Sequence, residues 1–151
     1  MVKALDEENY DLDITDYQAL AEFRYQLRCF LAFSEQAARA MGLEPQQHQL
    51  LLALKGLSTH GKVTIGDLAE RLKIQHHSAV ELVNRMRERN LIQRNRDEQD
   101  QRRVLVTLTP YGEKVLRRLS LLHHTELRST GPVLVQILQA IIGASSEERG
   151  E

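Results

Sequence analysis

Apolar residues recur every three or four positions along most of the chain, and the pattern shortens to a β-branched run only once. Over residues 16–41, Leu20, Phe23, Leu27, Phe30, Leu31, Ala38 and Met41 make a helical stripe of about seven turns, with Gly42 placed to stop it. Pro45 suits a first helical position and opens residues 46–57, where Leu50, Leu51, Leu54 and Leu57 face inward. Ser58 to Gly61 is a turn, and Lys62-Val63 a short extended piece. Thr64-Ile-Gly-Asp67 sets a side-chain oxygen at a helix N-cap and an acid three residues on, so a short helix carries Ile65, Leu68, Ala69 and Leu72. After Lys73-Ile74-Gln75 a second helix runs to Asn90 and buries Ala79, Leu82, Val83 and Met86.

Residues 91–96 and 103–108 then read as two strands joined by residues 97–102. Thr109-Pro110 is an N-cap followed by proline at the first helical position, and Leu116, Leu119, Leu122 and Leu127 continue that helix. Gly131-Pro132 is expected to break it. A last apolar helix covers 133–142, and residues 145–151 are expected to fray. The class is mainly α with one small β-hairpin. A short helix, a three-residue turn, a longer helix and a hairpin form a winged helix-turn-helix over residues 45–109, flanked by helical regions 1–44 and 110–151.

The flanking helices carry more apolar surface than so small a winged helix can cover. Residues 131–142 are apolar on most of their circumference, and such a helix must be buried. A second copy of the chain is the available cover, which makes 1–44 and 110–151 candidate dimerisation regions; an intramolecular bundle is the alternative.

Composition narrows the class further. With 42% hydrophobic residues in 151, the chain can bury a core. No apolar run spans a bilayer, and the acidic first 20 residues lack the basic start and apolar centre of a signal peptide, so a cytoplasmic protein is expected. The single cysteine, Cys29, excludes an internal disulfide and a cysteine-based zinc site. No phosphate loop, H-E-x-x-H or nucleophile elbow occurs, so neither an enzyme nor a cofactor is expected.

The net charge of −1 argues against a polyanionic partner until its distribution is seen. Acids dominate the first 22 residues, whereas lysine and arginine outnumber acids over 71–103, which also holds His76 and His77. One basic face is enough to set a local field. On the second helix, His76, His77, Ser78, Val80, Glu81, Asn84 and Arg85 fall outside the inward stripe, where a recognition helix meets base edges. Glu81 can accept from a cytosine amino group, Val80 can touch a thymine methyl, and Arg85 suits phosphate. Any amphipathic surface helix has such a polar face, so the hairpin decides. Its tip holds acids beside Arg94, Arg96, Arg102 and Arg103 and lacks glycine and proline. Asp100 is expected to pair with Arg102, holding a guanidinium ready for a narrow minor groove.

D-L-A-E-R-L (67–72), L-V-N-R-M-R-E-R-N-L-I-Q-R (82–94) and D-Q-R-R-V-L-V-T-L-T-P-Y-G (100–112) resemble the MarR family of bacterial transcription regulators. Asp100, Arg102, Leu108, Thr109 and Gly112 match its wing pattern in register, and the likeness extends over nearly the whole chain. It implies a homodimer with intertwined terminal helices and two winged helices on a palindromic operator. A ligand-responsive repressor of double-stranded DNA is the function it implies, with Arg102 as the minor-groove arginine and Asp100 its brace. Two departures stand out: Glu81 where many members carry a base, and Asn90 where glycine is frequent, although asparagine tolerates a left-handed backbone.

The resemblance also suggests a pocket for a small aromatic or phenolic ligand, with His48 as a candidate lining residue; a surface histidine is the alternative. Some relatives sense peroxide through a cysteine in the first helix, but Cys29 lies well along that helix and reads as an inert packed thiol. Adjacent histidines diverge by about 100° on a helix, so neither His76-His77 nor His123-His124 is expected to bind a metal. A winged helix that docks an acidic protein, and a redox sensor through Cys29, are the rival functions.

Overall fold

The computed structural model of the protein describes residues 11–147. Their order is α1 (Ile14–Ala40), α2 (Pro45–Ser58), α3 (Ile65–Leu72), α4 (His76–Glu88), β1 (Ile92–Arg96), β2 (Val104–Leu108) and α5 (Pro110–Glu147). The chain divides into two compact units, residues 33–125 and residues 1–32 with 126–151.

The unit 33–125 holds the core. Leu50, Leu51 and Leu54 of α2, Leu68 of α3, Leu82, Val83 and Met86 of α4, Ile92 and Val106 of the hairpin, and Leu119 of α5 are all buried. Each fully buried large side chain contributes about 1.5–3 kcal/mol. Truncating one such as Leu82 to alanine costs about 2–5 kcal/mol, because a cavity remains. The strands pair antiparallel, with Ile92 opposite Leu108 and Arg96 opposite Val104. The extended piece before α3 joins their far edge: Val106 N–H donates to the Val63 carbonyl at 2.9 Å, and Thr64 bridges to Leu105.

Local chemistry sets the boundaries. Thr64 and Asp67 form a reciprocal capping box at the start of α3. Three helices end where a residue turns left-handed: Gly42 (φ 75°), Lys73 (φ 54°) and Asn90 (φ 57°). In each case the next N–H reaches back five residues: Leu43 to Ala38, Ile74 to Ala69 and Leu91 to Met86, at 2.9–3.1 Å. At the start of α5, Thr109 is buried. Its hydroxyl accepts from Gly112 N–H at 2.9 Å and sits 2.7 Å from the Asn90 carbonyl, so one side chain caps α5 and fastens it to the end of α4.

One sequence expectation for α5 is corrected. Gly131-Pro132 does not break the chain; α5 continues through it to Glu147. Proline gives up its hydrogen bond to the carbonyl four residues back. The usual clash with the preceding residue is partly relieved here, since Gly131 has no Cβ to meet the proline ring. Residues 145–147, expected to fray, are helical, and 148–151 lie outside the described residues.

The other unit comprises the first part of α1 and the last part of α5. Among its described residues no hydrophobic side chain is buried, and Ile14 (69%), Tyr17 (57%) and Val135 (53%) are more than half exposed. Cys29 is also exposed, which corrects the expectation of a packed thiol. The buried positions of α1 are Ser34 and Ala38; Cys29 lies nine residues before Ala38, about half a turn around the helix from it. Cys29 lies one turn after Tyr25 and raises the pKa of the Tyr25 hydroxyl. Among the described residues no helix is long and apolar enough to cross a membrane, and no three potential metal ligands cluster.

Candidate nucleic-acid interface

α3 and α4 are joined by the left-handed Lys73, then Ile74, then Gln75 in extended conformation as the α4 N-cap. That turn lets α4 lay Ala79, Leu82, Val83 and Met86 on the core. His76, His77, Glu81 and Arg85 are then exposed, as the sequence predicts. Ser78, Val80 and Asn84 are half-buried rather than free. Val80 packs on the core cluster beside Ala79, and so occupies the margin between the helix and the wing.

The wing turn is held by its own backbone. Asp97 N–H donates to the Arg103 carbonyl at 3.0 Å, and Arg103 N–H to the Asp100 carbonyl at 2.9 Å. Its four arginines differ in what they hold. The Arg94 guanidinium donates to Asn84 Oδ1 and ties β1 to α4. Arg96 donates to the Gln101 carbonyl at 2.7 Å across the turn. Arg103 lies 3.7 Å from Asp97 Oδ2. The side chain of Arg102 is 96% exposed and leaves the turn with only Asp100 beside it, at 4.0 Å.

The expected pair of Asp100 with Arg102 is present at 4.0 Å, and the closer contact is to the backbone, where Asp100 Oδ1 accepts the N–H of Arg102 at 3.0 Å. A short carboxylate reaches the amide two residues on with little entropy lost, whereas an exposed Arg–Asp pair must freeze two side chains for about 0–1 kcal/mol. Asp100 fixes where Arg102 starts; the tip stays free to extend.

The acid the sequence reading missed is Asp97. It is the one of the three tip acids that is buried, at 1% exposure. Its Oδ1 accepts from Gln99 N–H at 3.0 Å and from Lys62 Nζ at 3.1 Å. The Gln99 N–H first, then Lys62, hold its carboxyl below the usual carboxylate range, so it is ionised. A signal did exist: the lysine at 62 sits on the segment expected to be extended, next to the wing.

His76, Val80, Arg94, Arg102 and Arg103 line one cleft of about 390 Å³ with Thr64 at the start of α3. Its lining includes no acid. Three guanidinium groups over an apolar floor suit a backbone of repeated anions, where each contact releases a counterion. His77, Glu81 and Arg85 stand outside that cleft along α4, and Arg96 and Asp100 lie on the wing; none of these lines it.

His48 is 2% exposed, which overturns its reading as a surface histidine. Its ring lies 4.8 Å from that of His123. His123 in turn meets Ser34 Oγ at 2.8 Å and the Leu119 carbonyl at 2.7 Å. Nδ1 of His48 is buried with no hydrogen-bond partner among the described residues. Burial first, and the neighbouring His123 second, push its pKa down to about 4.

Residues 41–103 match the MarR family. The HTH-type transcriptional regulator YfiV of Bacillus subtilis is 30% identical over 84 residues, 56% of this chain and half of YfiV's own length. The HTH-type transcriptional repressor MdtR of the same organism is 28% identical over 111 residues, covering 66% of this chain and 70% of MdtR. Among solved structures, AbsC, a MarR family transcriptional regulator from Streptomyces coelicolor, superposes with a TM-score of 0.70 at 21% identity over 94% of this chain and 99% of AbsC. Staphylococcus aureus MepR in complex with DNA gives 0.61 at 20% identity, over 82% of this chain and 98% of MepR.

Proposed function

We propose that the chain, whose residues 41–103 match the MarR family, is a transcription regulator of that family that reads duplex DNA in a sequence-specific way, as a homodimer. The observation that carries this is the acid-free cleft between α4 and the wing, with Arg102 extended beside it. In this reading α4 enters the major groove. His76, His77, Ser78 and Glu81 meet base edges, Val80 borders the groove, and Arg85 takes phosphate. Arg102 enters the minor groove, Arg94 and Arg103 face the backbone from the cleft, and Arg96 and Asp100 shape the turn that presents Arg102.

The exposed apolar residues of α1 and α5 supply the dimer contact, and two-fold symmetry then makes the operator an inverted repeat. Its half-sites would lie one DNA turn, about 34–36 Å, apart. The protein acts as a repressor in this proposal, in line with its relative MdtR. A small aromatic acid or phenol would release it by favouring one separation of the two recognition helices, since a ligand that binds both states equally shifts nothing. The unpartnered Nδ1 of His48 is the buried polar group available to such a ligand.

Selection from a random duplex library with the full chain tests the reading. Enrichment of an inverted repeat by about 10³-fold or more over random duplex is expected for a DNA reader. A basic face that docks an acidic protein would retain duplexes without enriching any sequence.

A further inference from the structure

We propose that Asp97, anchored by Lys62, is the positioning residue that fixes the wing and thereby the reach of Arg102; this rests on the DNA-reading proposal above. Asp97 is the first residue after β1, and its side chain is nearly inaccessible although the turn around it is exposed. Both of its oxygens are engaged. Oδ1 takes the Gln99 N–H inside the turn and the Lys62 ammonium from the segment between α2 and α3, while Oδ2 faces Arg103 at 3.7 Å. Its N–H closes the turn onto the Arg103 carbonyl at 3.0 Å. Arg102 is the residue immediately before that closure, so its Cα is set by a turn whose base is Asp97.

Lys62 extends the attachment. One residue on, the Val63 carbonyl accepts from Val106 N–H, so backbone and ion pair bind the same segment to the hairpin at two points. On the other side Arg94 holds Asn84 of α4. The wing is thus fastened to the segment before α3 and to the recognition helix, and Asp97 is the buried group through which the first attachment runs. Asp100 and Glu98, both exposed, have no such reach.

The sign of one measurement separates positioning from simple charge. An acid on a DNA-facing hairpin repels phosphate, so neutralising it should tighten binding if charge alone counts. Positioning predicts the opposite. Asp97→Asn keeps the size and an oxygen for Gln99 N–H but weakens the hold on Lys62 and Arg103. It is expected to bind the selected duplex several-fold more weakly than wild type.

The coupling is more specific. In wild type, Arg102→Ala should cost about tenfold in Kd, within the range for a groove contact. On the Asp97→Asn background it should cost less than about twofold, because the arginine no longer arrives. Lys62→Met should silence Arg102→Ala in the same way, although it changes no residue of the turn. Were Lys62 only a phosphate contact, the full tenfold would persist. Amide exchange of residues 98–103 should speed up in both variants, while exchange at Leu82 and Val83 in the core should not. Asp97→Asn binding as tightly as wild type or tighter, or Arg102→Ala keeping its full cost on that background, overturns the proposal. A wild type that selects no duplex overturns the DNA reading instead, and amide exchange then decides for Asp97 alone: unchanged protection at 98–103 refutes it.

Discussion

Gly112→Ala turns the junction between the wing and α5 into a measurement whose sign is informative. Alanine normally stabilises a helix relative to glycine by about 1 kcal/mol. At this position a Cβ would stand 2.0 Å from the Leu91 carbonyl oxygen and 3.0 Å from its carbon. An unstrained carbon–oxygen contact is about 3.3 Å, so helix and strand must part by about 1.3 Å. The atom in the way is backbone, and it already receives Thr109 N–H at 3.2 Å with the Thr109 hydroxyl 3.1 Å away. Overpacking costs about 1–3 kcal/mol, and weakening those two contacts adds about 1 kcal/mol each. Against the helical gain of about 1 kcal/mol, the net expectation is a loss of roughly 2–4 kcal/mol. Urea denaturation followed by circular dichroism, at one fixed protein concentration because the stability of the proposed dimer would depend on it, reads this directly. Gly56→Ala is the internal control: Gly56 lies exposed in α2 with nothing within 4 Å of an added Cβ, so it should gain about 0.5–1 kcal/mol. Gly112→Ala as stable as wild type, or more so, would refute the account of the junction.

Three further outcomes are expected. His48, neutral and buried with its pKa lowered from 6.5 to about 4, is protonated more readily in the unfolded chain. Stability should therefore be full above pH 6.5 and fall as pH drops toward 4, by on the order of 3 kcal/mol at about 1.4 kcal/mol per unit; His48→Leu should flatten that slope, and an unchanged slope would contradict the assignment. Lys73→Gly should raise thermal stability by about 0.5–1 kcal/mol, since Lys73 is left-handed and its ion pair with Glu70 is exposed; a lower melting temperature would count against the strain. Pro132→Ala restores an amide hydrogen bond within α5 and should increase helicity and stability by about 1–3 kcal/mol; a loss of helicity would show that the proline is needed there.

Features written into neighbouring residues were legible in the sequence. The capping box at Thr64 and Asp67, the Thr109-Pro110 start, the left-handed Asn90 and the inward face of α4 all follow from chemistry within a turn or two, and each is found as expected. What depended on distant partners was not. Asp97, Glu98 and Asp100 are equivalent as letters; Lys62, 35 residues away, makes Asp97 different. His48 reads as a polar position on an amphipathic helix, yet Gln47 and His48 lie one turn before Leu50 and Leu51 and about two before Leu54, on the same buried side. That spacing was available, but polar residue types masked it. At Gly131-Pro132 the glycine before the proline relieves part of the clash that usually ends a helix there. Within the candidate site His76, His77, Glu81 and Arg85 are exposed as the sequence predicts, whereas Ser78, Val80 and Asn84 are half-buried, and Arg94, Arg96 and Arg103 are engaged by partners that only the fold supplies.

The central proposal is that the wing presents the exposed Arg102 guanidinium to duplex DNA beside α4. Its most direct test is the salt dependence of binding to the selected inverted repeat, for wild type and Arg102→Ala. Each cation that replaces a counterion contributes about 0.9 to the slope of log K against log salt, so a dimer that loses one per wing should show a slope shallower by about 2, with weaker binding at every salt concentration. An Arg102→Ala protein with the wild-type slope and the wild-type affinity would contradict the account.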